Sequence, residues 1–260
     1  MSDYRVIPYR PELLPEIVRL WEDHGRTDIA RRTELFRWFS EGNPFLQGRP
    51  PYYCLHDGER VVGMHGYMPL VIDVDGAERL GQMAQDDLLH ASCRGKGLHK
   101  VLLDGATADA PNVAGAMWFN EVNHRSYLKC GWTDVPGFRR YVFFLDAARL
   151  ADELGERRAL ALAVRAAGPL ALSFLRARVR RAGRSGVRID AIDRFDDRCE
   201  RLYRKLAPGL GIAVRRSAAY LDWRFVAKPG GAYRRLAAMS PGGELAGWLV
   251  YRIDRSEASP

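Results

Sequence analysis

A glycine-rich connection between a strand and a helix limits the fold of this chain more than any other feature. The segment HASCRGKGLHKVLL, residues 90–103, follows an apolar strand and leads into a helix with apolar side chains on one face. Gly95 and Gly97 leave backbone N–H groups uncovered, and the helix start adds unpaired donors and a positive dipole end. Together these groups predict a binding site for an anion, most often a phosphate.

The segments on either side of this loop predict an α+β fold. A short strand at residues 4–9 precedes two helices, and strands with Asp-Gly turns at residues 57–58 and 75–76 follow them. After the loop come a helix, the strand VAGAMWF, the short helix NHRSYLKCG and the closing strand RRYVFFL. This order predicts a central mixed sheet with helices on both faces.

The basic charge of the chain is concentrated in one segment. The net charge is +8, and residues 157–188 contain nine arginines and no acidic residue. Residues 146–187 predict an Arg-rich helical linker that breaks at Gly168-Pro169. We favour a solvated arginine face on this linker. Binding of tRNA, an acidic carrier protein or a membrane surface through Arg157–Arg188 is the alternative.

The remaining composition predicts a cytoplasmic protein without a bound metal. The cysteines are scattered and form no C-x-x-C pair, which indicates reduced thiols rather than a zinc site or disulfides. The N-terminus lacks the apolar region of a signal peptide. No run of about 18 uninterrupted apolar residues exists, so we expect no transmembrane segment.

The C-terminal part of the sequence is similar to the N-terminal part. The segment ELFRWFSEGNPF around Trp38 matches AYLDWRFVAKPGG around Trp223, with the same spacing from Trp to Pro. We therefore predict a domain over residues 1–145, the linker over 146–187 and a partial repeat over 188–260. The repeat has no RGKG loop, so we expect it to be structural or to cover the substrate and to extend or cover the first sheet.

The meander, the RGKG segment and the later FNEVNHRSYLKCGW together resemble the GNAT superfamily of acyl-CoA-dependent N-acyltransferases. The phosphate motif of that family is Arg/Gln-x-x-Gly-x-Gly/Ala. The resemblance covers about residues 4–145, and the C-terminal part resembles a tandem GNAT-like subgroup with a truncated second copy. This chain also resembles a second motif of the family. The matching residues have the spacing of that motif, with Asn123 in place of the usual alanine, and they are Asn120, Asn123, Tyr127, Gly131 and Trp132.

The resemblance implies acetyl-CoA or another acyl-CoA as co-substrate, and no metal. It implies that the loop holds the pyrophosphate, that the end of the preceding strand runs beside the pantetheine arm, and that Asn120 lies where this arm enters. Tyr127 is implied as the proton donor to the departing thiolate. The implied cofactor-binding residues are Leu88, Leu89, His90, Arg94, Gly95, Lys96, Gly97, Leu98, Asn120 and Asn123.

The catalytic base has to come from elsewhere in the sequence. An amine must lose a proton before it attacks, so we expect a carboxylate near the strand that precedes the loop. Strict alternation in QDDLLH places Asp86 and His90 on one face and Asp87 on the other. We choose Asp87, because a carboxylate buried beside an apolar run is costly unless it is functional. A solvent-exposed strand end is the competing interpretation.

The predicted function is direct transfer of an acyl group from acyl-CoA to a primary amine of a small molecule. One alternative is a Fem-type transferase that uses aminoacyl-tRNA, although such proteins generally need no CoA seat. The other is a GNAT-like binding protein without catalysis. The loop does not have the Walker pattern and does not open a first βαβ unit, which argues against nucleotide-binding folds.

Overall fold

The computed structural model describes residues 4–108, 113–116, 120–135, 146–154, 157–182 and 186–253. Contacts divide the chain into two compact units. The first contains residues 1–133, 191–237 and 247–260, and the second contains residues 134–190 and 238–246. The division predicted from sequence, at residues 145 and 187, stays a prediction.

The N-terminal part of the first unit has the predicted element order. Its strands lie in the order β1-β2-β3-β4-β5, antiparallel except for the parallel pair β4/β5. The predicted α+β class and mixed sheet are confirmed, and the predicted closing strand RRYVFFL lies outside the described residues. The elements are β1 (Arg5–Pro8), α1 (Leu14–Asp23), α2 (Ile29–Gly42), β2 (Tyr52–His56), β3 (Val61–Val74), β4 (Ala77–Leu89), α3 (Leu98–Thr107), β5 (Val113–Ala116) and α4 (Glu121–Lys129).

Helix α3 packs on the sheet through the apolar face that the sequence predicts. Leu98, Leu102 and Ala106 recur at helical spacing and are buried as the sequence predicts, whereas Val101, predicted on the same face, is 44% exposed and Leu103 is buried instead. Leu98 and Leu102 join a core cluster with β2 and β3 side chains. Because this packing fixes the start of α3, it also fixes the position of the glycine loop beside the end of β4.

Strand β4 contains a bulge where the site lies. Met64 pairs with Leu88 but Gly66 pairs with Gln85, so β4 has an extra residue between these pairs. Asp86 lies in this bulge and has a φ of 50°, in the left-handed region that non-glycine residues rarely adopt. This bulge interrupts the strict alternation assumed from the sequence.

Gly66 opposite the bulge has no room for a side chain. A Cβ atom on Gly66 would lie 2.5 Å from the ring of Tyr52 and 2.9 Å from the carbonyl oxygen of Gln85. Strand β5 pairs with β4 only over Gly81–Ala84. Past that point no described strand flanks this edge of β4, so the bulge sits where the two parallel strands separate.

The C-terminal residues of the chain form a second set of strands and helices. Strand β7 pairs with Ile72–Val74 of β3, so the expected extension of the N-terminal sheet is confirmed. Strands β6, β8 and β9 lie in that order in a three-stranded sheet, as β1, β2 and β3 do in the larger one. The elements are β6 (Arg188–Ala191), α7 (Asp197–Leu206), β7 (Ile212–Val214), α8 (Ala218–Phe225), β8 (Arg234–Met239) and β9 (Leu245–Tyr251).

The two tryptophans that align in the sequence contact each other in equivalent ways. The rings of Trp38 on α2 and Trp223 on α8 stack with centroids 4.6 Å apart and an interplanar angle of 12°. The indole N–H of Trp38 donates to the carbonyl of Trp223 at 3.1 Å, and that of Trp223 donates to Trp38 at 3.3 Å. The duplication of the helix–hairpin unit stays a prediction.

The second unit contains α5 (Ala147–Glu153) and α6 (Arg158–Ala182). The predicted break at Gly168-Pro169 is wrong: α6 continues through Pro169, because one proline removes a single backbone hydrogen bond from a 25-residue helix. Residues Arg158–Arg178 are long and apolar enough to cross a membrane, and none of this stretch is buried. Length and composition alone are weak evidence for a membrane span.

Candidate active site

The glycine loop has the open donors that an anion needs. Gly95 and Gly97 both have a φ of 74°, which favours glycine, and a Cβ atom on either would meet nothing within 4 Å. Among the described residues, no backbone carbonyl accepts the N–H groups of Gly95, Lys96 and Gly97. The first turn of α3 begins directly after Gly97 and adds its own unpaired N–H groups.

The end of β4 leads along an open sheet edge to this loop. Within the last residues of the strand, the N–H of His90 donates to Val62 at 2.8 Å, and the carbonyl of Leu89 lies 3.1 Å from the His24 ring. The His90 ring contacts the Ser92 hydroxyl at 2.7 Å and so stiffens the turn before Arg94. Leu88 lines a cleft together with Asp86 and Asp87 of the bulge. The implied binding roles of Leu88, Leu89 and His90 stay predictions.

Asn120 begins the helix that carries Tyr127. Its side-chain oxygen accepts the N–H of Asn123 at 2.8 Å, which is the geometry of a helix N-cap. This cap fixes the entry into α4 and hence the placement of Tyr127 one to two turns later. The implied contacts of Asn120 and Asn123 with a cofactor stay predictions.

Tyr127 lies in a buried aromatic cluster. Its side chain is 4% exposed, and its ring meets the rings of Trp132 and His99 edge-on at 4.8 and 6.0 Å. Burial, together with the negative charge of Asp87, raises the pKa of Tyr127. The hydroxyl is therefore protonated at neutral pH, as a proton donor must be.

Asp87 is a buried carboxylate held by two histidines. Its Oδ2 lies 2.6 Å from Nε2 of His99 and its Oδ1 lies 3.7 Å from Nδ1 of His65, with the carboxylate side chain 7% exposed. Burial by itself raises the pKa of this carboxyl, but the hydrogen bond with His99 and the charges of His65 and His99 lower the pKa to about 2. A carboxylate with such a pKa is a weak base. The predicted catalytic role of Asp87 is untested, and its observed role is to hold His99.

His99 is a functional candidate that the sequence analysis did not select. Its Nδ1 lies 2.5 Å from the hydroxyl oxygen of Ser126 on α4. If Asp87 accepts from Nε2–H, Nδ1 is the lone-pair nitrogen that accepts the Ser126 proton. When the motif Arg/Gln-x-x-Gly-x-Gly/Ala is aligned on Arg94, Gly97 matches its first glycine and His99 occupies its last position, where the family has Gly or Ala. That departure was visible in the sequence, whereas the buried His65 lies inside an apolar strand that gives no signal.

Three further polar atoms beside Asp87 are buried without a described hydrogen-bond partner. They are both ring nitrogens of His65 and the hydroxyl of Tyr67, and the two rings meet edge-on at 4.5 Å. A buried polar group without a partner costs free energy, so such groups concentrate where a ligand supplies the missing bond. Within the described part of the chain, no group of His, Cys, Asp or Glu is arranged to hold a metal ion.

Asp86, the neighbouring carboxylate, opens onto a cleft. The Tyr52 hydroxyl donates to Oδ2 of Asp86 at 2.7 Å, and the Tyr52 ring stacks on Phe36 of α2 at 4.4 Å. Burial and the charge of Asp86 raise the pKa of Tyr52, so its hydroxyl stays protonated and donates. The cleft has a volume of about 310 Å³. Its walls include Trp38, Met64 and Leu88 and four cationic side chains, Arg26, Arg32, Arg224 and Lys228.

The chain is similar in structure to acyltransferases of known structure. A protein of unknown function from Enterococcus faecalis V583, described as a probable N-acyltransferase, matches 98% of this chain with a TM-score of 0.60 and 14% identity. A GCN5-related N-acetyltransferase from Kribbella flavida matches 97% with a TM-score of 0.57 and 12% identity. The N-myristoyltransferase of Saccharomyces cerevisiae with bound myristoyl-CoA matches 96% with a TM-score of 0.50 and 12% identity.

These likenesses show that the chain has a GNAT-like fold. The chain spans 56% of the length of the first two proteins and 57% of the third. Neither a protein-family model nor a curated protein matches the sequence. Identities this low carry the fold alone, so the chemistry must be argued from the site itself.

Proposed function

We propose that this protein is an acyl-CoA-dependent N-acyltransferase that transfers an acetyl group, or another acyl group, to the primary amine of a small molecule. The observation that carries this proposal is the loop Arg94–Leu98, whose left-handed glycines leave unpaired N–H groups at the start of α3. The GNAT-like fold supports it, because this loop follows the strand at which the sheet separates.

The residues fit an extended thioester with a phosphate at one end. Backbone N–H groups of the loop would hold the pyrophosphate, and the open edge of β4 would pair with the amides of the arm. The buried ring nitrogens of His65 and the Tyr67 hydroxyl have no described hydrogen-bond partner, so they could form hydrogen bonds with the bound thioester. Tyr127 packs against these groups, which supports a role for its hydroxyl near the reacting sulfur.

In this proposal, the side chains of the protein assist acyl transfer by donating and accepting protons. The free amine attacks the thioester carbonyl, a C–N bond forms and the C–S bond breaks. The attacking nitrogen releases a proton to solvent as the C–N bond forms. Tyr127 gives its proton to the departing sulfur and regains one from solvent, and its raised pKa keeps the hydroxyl in the protonated form that can donate. The exposed carboxylate of Asp86 attracts the incoming ammonium group. We also infer a reducing compartment such as the cytoplasm, since Cys54, Cys93, Cys130 and Cys199 are free.

Calorimetric titration with acetyl-CoA tests the proposal. We expect the wild-type protein to bind, and Gly97→Glu to lose at least about 100-fold in affinity, because a carboxylate side chain would enter the phosphate seat and residue 97 needs a left-handed backbone. Gly58→Glu is the matched control. Gly58 also has a positive φ and open space around it, but it lies in the β2–β3 turn.

The outcomes separate the proposal from its alternatives. Unchanged affinity in Gly97→Glu, or no binding by the wild type, would remove acyl-CoA as the donor and favour aminoacyl-tRNA. Binding of acetyl-CoA without thiol release in the presence of a broad panel of amines would favour a non-catalytic binding protein. Loss of binding in both glycine variants would point to misfolding, which circular dichroism of each variant detects.

A further inference from the structure

We propose that the acceptor is an amine that also carries an anionic group, a carboxylate or a phosphate, and that it binds in the cleft beside Asp86. This inference rests on the proposed acyl transfer and adds the chemical class of the acceptor. It follows from the distribution of charge on the walls of the cleft.

The cleft carries charge of both signs at separate places. The carboxylate of Asp86 comes from the β4 bulge, while Arg224 and Lys228 come from the end of α8 and the turn after it. Arg26 and Arg32 add two cations from the segment between α1 and α2 and from α2 itself. A ligand that satisfies both ends has to be positive at one end and negative at the other.

Three of the four cations of the cleft lack an acidic partner among the described residues, whereas the fourth, Arg32, pairs with Asp28 at 2.6 Å. No carboxylate among the described residues forms an ion pair with Arg26, Arg224 or Lys228. Elsewhere in the C-terminal residues arginines do have such partners, and each of the pairs is within 3.0 Å: Arg194–Asp222, Arg204–Glu200 and Arg215–Glu200. Three cationic side chains therefore line the cleft without a carboxylate partner among the described residues.

Trp38 holds the two C-terminal cations close together. The guanidinium of Arg224 and the ammonium of Lys228 lie 5.8 and 5.7 Å from the centroid of its ring. The stacked pair with Trp223 fixes that ring from behind. Burial and the nearby charge of Arg224 lower the pKa of Lys228, which shows that the like charges oppose each other. An anion bound by both cations would relieve that repulsion.

Asp86 is arranged to hold the amine end. Tyr52 occupies Oδ2 of this carboxylate, and no described protein donor occupies Oδ1. The residue is exposed, and its left-handed backbone belongs to the bulge of β4. The carboxylate thus lies on β4, the strand that leads to the glycine loop. In the proposed reaction the amine meets the acyl group beside this strand.

The test compares amines of equal length that differ only in their second group. Thiol release from acetyl-CoA is measured with β-alanine, O-phosphoethanolamine, propylamine and 1,3-diaminopropane, and with their longer homologues. We expect the better of the two anionic amines to have a kcat/KM at least about 10-fold above the neutral amine. The comparison of β-alanine with O-phosphoethanolamine decides between carboxylate and phosphate.

Variants show whether the cleft makes this choice. The double variant Arg224→Gln, Lys228→Gln should lower kcat/KM for the anionic amine about 10- to 100-fold and change it less than about 3-fold for propylamine. Arg224→Glu should move the preference toward the diamine. Arg204→Gln removes a charge from α7, where Glu200 is its partner, and should change neither value.

Two results would overturn the inference. One is equal use of neutral and anionic amines by the wild type, and the other is an equal loss for both in the double variant. Neither result touches the proposed function, which depends on acetyl-CoA binding and thiol release with any amine. Conversely, if acetyl-CoA does not bind, calorimetry with the anionic amines alone still tests the cleft, because the double variant should then lose their binding.

Discussion

Two neighbouring carboxylates, Asp86 and Asp87, line the same cleft but differ in burial and in hydrogen-bond partners. Asp87 lies in a closed network with His65 and His99, and its pKa is lowered to about 2. Asp86 is exposed, accepts a hydrogen bond from Tyr52 and lines a cleft in which Arg26, Arg224 and Lys228 have no acidic partner among the described residues. The difference shows that adjacent residues of one strand can have distinct environments, and under the proposed function Asp87 would organise the donor side while Asp86 would meet the acceptor.

The largest effect should come from the proton donor on the Asp87 side. Tyr127→Phe should lower kcat about 100-fold and leave the affinity for acetyl-CoA nearly unchanged, because the hydroxyl acts on the leaving sulfur and not on binding. Steady-state kinetics and calorimetry measure the two quantities. Tyr9→Phe removes another buried hydroxyl outside this cluster and should leave turnover unchanged. Wild-type turnover in Tyr127→Phe would make the tyrosine a packing residue.

Asp87 itself should affect stability and its dependence on pH. Its pKa is lowered from 3.8 to about 2, so its charged form stabilises the fold above pH 4. That stability, about 2 kcal/mol, is lost as the pH falls from about 4 to about 2. Asp87→Asn should lower the free energy of unfolding by this amount at pH 7, as urea denaturation measures.

The same experiment at low pH provides the check on Asp87. The difference between Asp87→Asn and wild type should shrink toward pH 2, because the wild-type carboxyl is then protonated as well. Ser126→Ala keeps the carboxylate and should keep the acid-sensitive part of the stability. A difference that has the same size at pH 7 and pH 3 would mean that the histidines do not stabilise the charged form.

Asp86 should show the reverse pattern, with an effect on the acceptor. Asp86→Asn should lower kcat/KM for the amine about 10-fold, because an ammonium group loses a charged partner. Acetyl-CoA affinity should not change, since the described hydrogen bond of Asp86 goes to Tyr52 and not to His99 or the glycine loop. An equal loss of donor affinity in Asp86→Asn would erase the distinction between the two carboxylates.

The smallest effect should come from Ser126, which contacts His99 at 2.5 Å. Ser126→Ala should destabilise the fold by about 1 kcal/mol and change turnover less than about 3-fold, because the hydroxyl only orients the imidazole. The order Ser126, His99, Asp87 also matches the arrangement of a serine nucleophile, its base and an orienting acid. Loss of about 100-fold in turnover, with an acyl group on Ser126 detected by mass spectrometry, would establish a covalent route instead.

The second unit differs from the site region in how its apolar side chains are covered. In α6 the side chains of Leu162, Leu170 and Phe174 are 68%, 78% and 69% exposed. The sequence analysis favoured a solvated arginine face with the apolar side packed inward. The described contacts of α6 with α5 cover only part of that apolar side, so its partner stays a prediction.

Local chemistry in the sequence determined the loop, the helix faces and the order of elements. Glycines at positions 95 and 97, apolar residues at helical spacing in α3 and Asp-Gly turns act over a few residues, so a linear pattern reveals them. The aligned tryptophans Trp38 and Trp223 also predicted a repeat, and their reciprocal hydrogen bonds are consistent with one.

Only the tertiary structure decided what each carboxylate does. The bulge at Asp86 depends on the pairing of β3 with β4, and Gly66 makes room for it beside Tyr52. The network of Asp87 joins residues of β3, β4, α3 and α4, and the cleft of Asp86 joins α2, β4 and α8. Hydrogen bonds and charges act through space over a few ångströms, and only the folded chain brings residues so distant in sequence within that range.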